Sequence, residues 1–239
     1  MFTDEELAIE ERAIQFAKKN RTKICREITN KEVYRPEQFP VSVFMSGSPG
    51  AGKTEISKAM IAQLEKNKTK ILRLDPDDLR ERFPEYSGGN SYLFQRAVSL
   101  LVERALDYIH KNNQSVLLDG TLASYPVARK NIKRSLDKDR LVLILFVHQR
   151  ADLAWKFVEA RERVEGRRIQ PEHFVTQYFG AQEVIEKLKL EFGKNIKIDV
   201  LLKDNDGKTK NHYSNVDSVI PYLKPRMHRD DVENMIGLR

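Results

Sequence analysis

Two aspartates two residues apart, Asp75 and Asp77, follow an octapeptide, Gly47-Ser48-Pro49-Gly50-Ala51-Gly52-Lys53-Thr54. The octapeptide fits the Walker pattern G-x-x-x-x-G-K-[ST] without a mismatch. Backbone N–H groups of such a loop wrap a phosphate chain, and the start of the next helix adds favourable partial charge. Lys53 then reaches the β- and γ-phosphates of ATP, and Thr54 offers its hydroxyl to Mg²⁺. The pattern names a nucleoside triphosphate but leaves open whether its phosphate goes to water, a small molecule or a macromolecule. Asp75 and Asp77 bear on that choice. One carboxylate here can receive the proton of an acceptor hydroxyl, as a kinase requires, while the other caps the following helix.

Further candidates lie downstream. Asp119 closes an apolar run in the place of a Walker B carboxylate. It can serve Mg²⁺ through water or contact the acceptor, and Gly120 beside it allows close backbone approach. Arg161, Arg163, Arg167 and Arg168 crowd one short stretch. Guanidinium groups stabilise the charge that spreads over a phosphoryl group in transfer. Helical spacing also places Arg161 and Glu165 on one face, where they pair. Gly166 ends that helix and leaves Arg167 and Arg168 on a loop that can act as a lid. Phe83-Pro84-Glu85-Tyr86 with Gly88-Gly89 reads as a substrate loop whose ring stacks on a base or sugar, or as an ordinary exposed loop. His173 is a candidate site residue, although one histidine beside a helix start is usually structural.

The elements that must position these residues alternate. Residues 4–29 form a helix with Thr3 and Glu6 as a capping box. Strands are expected at about 41–45, 70–74, 115–119, 141–147 and 196–202. Helices are expected at about 53–65, 77–82, 91–111, 126–136, 151–165 and 171–192. A turn follows at Asn205-Asp206-Gly207, and the tail holds one or two short helices. Strand and helix in alternation predict an α/β fold, a P-loop kinase-like parallel sheet with helices on both faces. The domain occupies 40–239, and residues 1–39 form an N-terminal helical arm that packs on it or serves a partner. Ligands in such sheets sit at the carboxyl ends of the strands, which gathers the Walker loop, Asp75–Asp77, Asp119–Thr121 and His148–Arg150.

Composition sets the remaining bounds. The 239 residues are 40% hydrophobic and 32% charged, with a net charge of +7. A single cysteine, Cys25, excludes an internal disulfide and fits a reducing compartment. No stretch is apolar and long enough to span a bilayer, and the acidic N-terminus lacks a signal core. A cytoplasmic protein without membrane attachment is expected. The basic residues are spread along the chain, so phosphate sites and solvated faces account for them better than nucleic acid.

In this order the residues resemble the zeta toxins of the epsilon/zeta and related toxin–antitoxin systems. The matching elements are Gly47–Thr54, Leu74-Asp75-Pro76-Asp77-Asp78-Leu79-Arg80 with Pro84-Glu85-Tyr86, Leu118-Asp119-Gly120-Thr121-Leu122, and Arg161 with Arg168-Ile169-Gln170-Pro171. The resemblance covers about residues 40–205. It implies phosphorylation of UDP-N-acetylglucosamine at the 3′-hydroxyl with ATP and Mg²⁺, a product that poisons peptidoglycan synthesis, and inhibition by an antitoxin protein. It implies that Lys53 is the Walker lysine, Thr54 the Mg²⁺ hydroxyl and Asp77 the carboxylate that receives the acceptor hydroxyl. Arg161 and Arg168 would grip the transferred phosphate, with Arg163 the alternative to Arg161. Asp75, Arg80, Tyr86, Asp119, Thr121 and Arg163 fall on the substrate side, Asp119 where several members carry Glu. Outside this family stand a polynucleotide 5′-kinase, another small-molecule phosphotransferase and a non-catalytic nucleotide-binding regulator. The arginines and strand-end aspartates argue against the regulator.

Overall fold

In chain order the elements are α1 (Asp4–Ile28), β1 (Val41–Ser46), α2 (Lys53–Lys66), β2 (Leu72–Leu74), α3 (Pro76–Arg80), α4 (Gln95–Lys111), β3 (Val116–Leu118), α5 (Tyr125–Leu136), β4 (Leu141–His148), α6 (Ala151–Glu165), α7 (Pro171–Phe192), β5 (Ile196–Lys203), β6 (Thr209–Tyr213) and α8 (Arg229–Met235). The structure is a computed structural model that describes residues 2–66, 69–166, 168–204, 206 and 208–238. Arg167, and the Asn205 and Gly207 of the expected turn, lie outside the described residues. So does the side chain of Glu165, and with it the expected pair with Arg161.

The six strands form one sheet in the order β2-β3-β1-β4-β5-β6. The first five run parallel, and β6 joins the β5 edge antiparallel. β4 reads as an almost unbroken apolar run because it pairs on both sides and is covered on both faces. β6, Thr-Lys-Asn-His-Tyr, escapes sequence reading because all of its residues are exposed. It has no apolar face to betray a strand.

Side chains alternate along β1. Val43 and Met45 meet Ile56, Met60, Ile61 and Leu64 of α2 on one face. Phe44 faces the larger core built with α1, α4, α5 and α7. β1 lies inside the sheet, so the loop after it emerges where helices flank it on both sides.

The first helix is more than an appendage. Thr3 Oγ1 accepts the Glu6 N–H at 3.2 Å while Glu6 Oε2 accepts the Thr3 N–H at 2.7 Å, which completes the capping box. Ala13, Ile14, Ala17, Ile24 and Cys25 are buried in the same core as Ala97, Val98, Leu101 and Ala105 of α4. Gln114 Nε2 donates to Thr29 O at 3.0 Å and to Tyr34 O at 2.7 Å, tying the end of the arm to the base of the sheet. Burial pushes the Cys25 thiol up to about 11. A thiol in that state is a packing group and not a nucleophile.

Candidate active site

Strand β1 ends in the Walker loop, whose glycines fit where no other residue does. Gly47 has φ +137°, and a Cβ there would lie 2.2 Å from Val147 O. Gly50 has φ +72°, and its Cβ would lie 2.1 Å from Ala154 O. The loop is thus pressed against the end of β4 and the backbone of α6. The carbonyl of Thr121 braces it from the other side, accepting the Gly47 N–H at 3.2 Å and the Ser46 hydroxyl at 3.3 Å. Among the described residues, no backbone acceptor takes the N–H groups of Gly52, Lys53 or Thr54. These are orphan donors at the start of α2, oriented for an anion.

Lys53 folds back over the loop, its Nζ donating to Gly47 O at 3.0 Å and Ser48 O at 2.6 Å. Burial lowers its pKa to about 8. Among the charges that oppose this, Asp119 acts most strongly, followed by Asp77. Incoming phosphates would replace the two carbonyls as partners.

The aspartate pair divides as the chemistry allows. Asp75 caps α3, accepting the Asp77 N–H at 2.8 Å, and Pro76 opens the helix. It is 6% exposed, and burial, with the neighbouring Asp77 charge, raises its pKa to about 6. Asp77 is 32% exposed and pairs with Arg80, whose Nη2 reaches Gln95 Oε1 at 2.8 Å. Asp119 lies just past β3 and is nearly buried. Its Oδ2 accepts from Ser57 Oγ at 2.6 Å and from Arg73 Nη2 at 2.7 Å.

These groups line one cavity of about 680 Å³ at the carboxyl ends of the strands. That volume suits a small-molecule site. Lys53 and Thr54 stand at the loop end. Asp75, Asp77, Arg80, Asp119 and Thr121 also line the cavity, as do Arg161 of α6 and Arg168 of the segment after it. Gly166 caps α6 in the left-handed region, φ +67°, and donates to Glu162 O at 2.9 Å, which releases Arg168 onto the connection to α7. Arg163 lies exposed on α6, outside the residues that line the cavity. Of the two arginines, the fold turns Arg161 inward.

Tyr86 is also placed apart from the cavity. Its ring packs edge-on against Phe94 at 5.6 Å, alongside Phe83 of the core. An apolar partner five residues beyond the Gly-Gly turn draws the ring inward, and Gly89 takes the place at the cavity wall. A Tyr86→Ala protein is expected to lose about 1–3 kcal/mol of stability in a denaturant titration. A raised acceptor KM at unchanged stability would return the ring to the substrate.

Several lining residues carry no motif. Tyr92, Gln95 and His173 line the cavity. Lys203, at the end of β5, brings its Cε to 3.0 Å from where a Cβ on Gly52 would stand. The strand-end rule extends to β5 and would have found Lys203. Arg73 has no such signal, being one charge inside a three-residue strand. His148, at the end of β4, is driven down to about 4 by burial, stacks on Phe146 and meets Tyr178 at a tilt. It packs as a neutral ring.

The oxygen donors suit the expected metal. Thr54 Oγ1 and the Asp119 carboxylate line the same cavity, and no hydrogen bond falls on Asp119 Oδ1 among the described residues. Among those residues, no group of three or more His, Cys, Asp or Glu could hold a metal alone. Mg²⁺ needs no such group, since it keeps waters and takes phosphate oxygens with one or two protein ligands.

The model of the zeta toxin family matches residues 25–217. This chain belongs to the zeta toxin family. The match takes in the last residues of α1, which agrees with the burial of that helix in the core. Among solved structures, the zeta-family chain is similar to one from the PezAT chromosomal toxin–antitoxin system of the human pathogen Streptococcus pneumoniae. The TM-score is 0.65 at 17% identity, covering 100% of this chain and 95% of that one. A chain of the AvrRxo1-ORF1:ORF2 complex with ATP gives 0.57 at 15% identity, covering 89% and 67%. A chain of the Pnkp1/Rnl/Hen1 RNA repair complex gives 0.52 at 19% identity, covering 64% of this chain and 47% of that one. At these identities the likeness is one of fold. Family and fold together are those of a kinase-type phosphotransferase. No helix among the described residues is long and apolar enough to cross a membrane.

Proposed function

We propose that this zeta-family chain transfers the γ-phosphoryl group of ATP to the 3′-hydroxyl of UDP-N-acetylglucosamine or a related nucleotide-sugar, and that the product blocks cell-wall synthesis. The observation that carries the reading is one cavity lined together by Lys53, Asp77, Arg161 and Arg168. Phosphoryl transfer asks for positioning and charge stabilisation more than for covalent chemistry. Gly47 to Thr54 hold the phosphate chain through backbone N–H groups. Lys53 exchanges its two loop carbonyls for phosphate oxygens. Asp77 accepts the proton of the attacking hydroxyl. Arg161 and Arg168 meet the charge on the transferred group. Thr54, with Asp119 through water, would hold Mg²⁺, which neutralises phosphate charge when bound. Arg80, Asp75, Thr121 and Asp119 shape the acceptor side.

The deciding experiment incubates the protein with ATP, Mg²⁺ and UDP-N-acetylglucosamine, and reads the sugar by mass spectrometry. The expected result is a mass gain of one phosphate. A folded, ATP-binding protein that leaves it unmodified sinks this substrate, and a panel of other nucleotide-sugars then follows. A polynucleotide 5′-kinase is the second reading, favoured by the net charge of +7 and by the likeness to a chain of an RNA repair complex. A 5′-hydroxyl oligonucleotide tests it, with binding that weakens steeply in salt. An antitoxin protein is the proposed partner, since the similar chain from Streptococcus pneumoniae comes from a toxin–antitoxin system.

A further inference from the structure

Arg73 pairs with three carboxylates, two of which, Asp75 and Asp119, line the cavity. It sits mid-strand in β2, with its side chain 13% exposed. Its guanidinium reaches Asp75, Asp78 at 2.9 Å and Asp119 at 2.7 Å, and its Nε reaches Ser57 Oγ at 3.1 Å. Position 73 pairs in register with Leu117, which packs in the apolar layer beneath α2. An apolar side chain would continue that layer. Buried ion networks add little stability over apolar packing, so β2 has no need of an arginine for its own sake.

The competition around Asp119 gives Arg73 a task. Asp119 has two cations within its field. Arg73 holds its Oδ2 directly, together with Ser57. Lys53 is the other, and Asp119 is the carboxylate that acts on it most strongly. Yet, among the described residues, Lys53 Nζ bonds to the carbonyls of Gly47 and Ser48, the two partners it gives up to phosphate.

We propose that Arg73 is a positioning residue of the nucleotide site, holding Asp119 off Lys53 so that the lysine stays available to the phosphates. The guanidinium also ties Asp75, the cap of α3, and so fixes the start of the helix that carries Asp77 to the same anchor as Asp119. The proposal rests on the kinase reading only in taking ATP as the ligand.

A double-mutant cycle read by ATP affinity tests it. Calorimetric titration would compare the parent, R73M, D119N and R73M/D119N, each checked by thermal melting. R73M frees Asp119 to pair with Lys53 and is expected to weaken ATP binding about tenfold, a loss that D119N recovers in the R73M protein. With Arg73 in place, D119N is expected to lower affinity on its own account, since Asp119 would help hold Mg²⁺, so the test reads the difference between its effects in the two backgrounds. Restoration by a second substitution is a result that a merely structural arginine does not give. An R73M protein that binds ATP like the parent overturns the proposal, and so does a D119N effect that is the same with and without R73M. Should R73M not fold, R73K takes its place. A single ammonium cannot span Ser57 and three carboxylates, so a smaller loss with the same recovery by D119N is expected, and no loss overturns the proposal. A parent that binds ATP but phosphorylates no acceptor sinks the kinase reading and leaves the cycle to decide on Arg73. A parent that binds no ATP overturns both.

Discussion

An Asp77→Asn protein is expected to transfer phosphate about 10²–10⁴-fold more slowly than the parent, the range for loss of a positioned general base, while binding ATP unchanged. The geometry separates the two effects. Asp77 follows the Pro76 that opens α3, and its own N–H is held by Asp75 at 2.8 Å. The cap therefore survives any change to the Asp77 side chain. The substitution keeps the shape and one acceptor oxygen but removes the charge that takes up the hydroxyl proton. Arg80, which pairs with Asp77, keeps its bond to Gln95. Its freed charge would hold an anionic acceptor no less tightly, so the acceptor KM should not rise. Steady-state rates with the nucleotide-sugar, alongside an equilibrium ATP titration, check both halves. Full activity in the variant removes Asp77 from the role. A parallel fall in ATP affinity would place Asp77 at the donor end instead.

How far this site was legible depends on what each residue answers to. The Walker loop could be read because backbone geometry dictates its glycines. Asp75, Asp77 and Asp119 could be read because strand ends place them, and the cap expected of one aspartate of the pair is made by Asp75, which accepts the Asp77 N–H. The arginine cluster could be read only as a cluster. Arg161 and Arg163 are two residues apart, about 200° around a helix, so which one faces inward depends on where α6 docks. Tyr86 shows the opposite failure. Its type suited a substrate ring, but its orientation answers to Phe94, a contact that no local pattern announces. Gln95 meets Arg80 of α3, and Arg73 meets Ser57 and Asp119 of other elements, contacts that no local pattern announces either. The sheet was legible except at β6, where exposure on all sides erased the alternation.

The loop's close packing carries the other large effect, and Gly50→Ala isolates it. A Cβ at this position would stand 2.1 Å from Ala154 O and 2.9 Å from its carbonyl carbon. Both are backbone atoms of a helix, and Ala154 is fully buried beside Val158 and Phe174. Neither side can yield as a flexible side chain would, and φ +72° adds strain of its own for an L-residue. The loop must lift from α6 or push it away. Either motion separates the phosphate cradle from Arg161, which lies seven residues further along α6 and so on nearly the same face. ATP affinity is expected to fall by about 100-fold, with stability lower by about 2–4 kcal/mol, in the range for backbone strain and overpacking. Gly120→Ala is the matched control, because nothing lies within 4 Å of its Cβ position. That protein should melt like the parent. If Gly50→Ala binds ATP as well as the parent does, the contact with α6 is not what holds the loop in its phosphate-binding form.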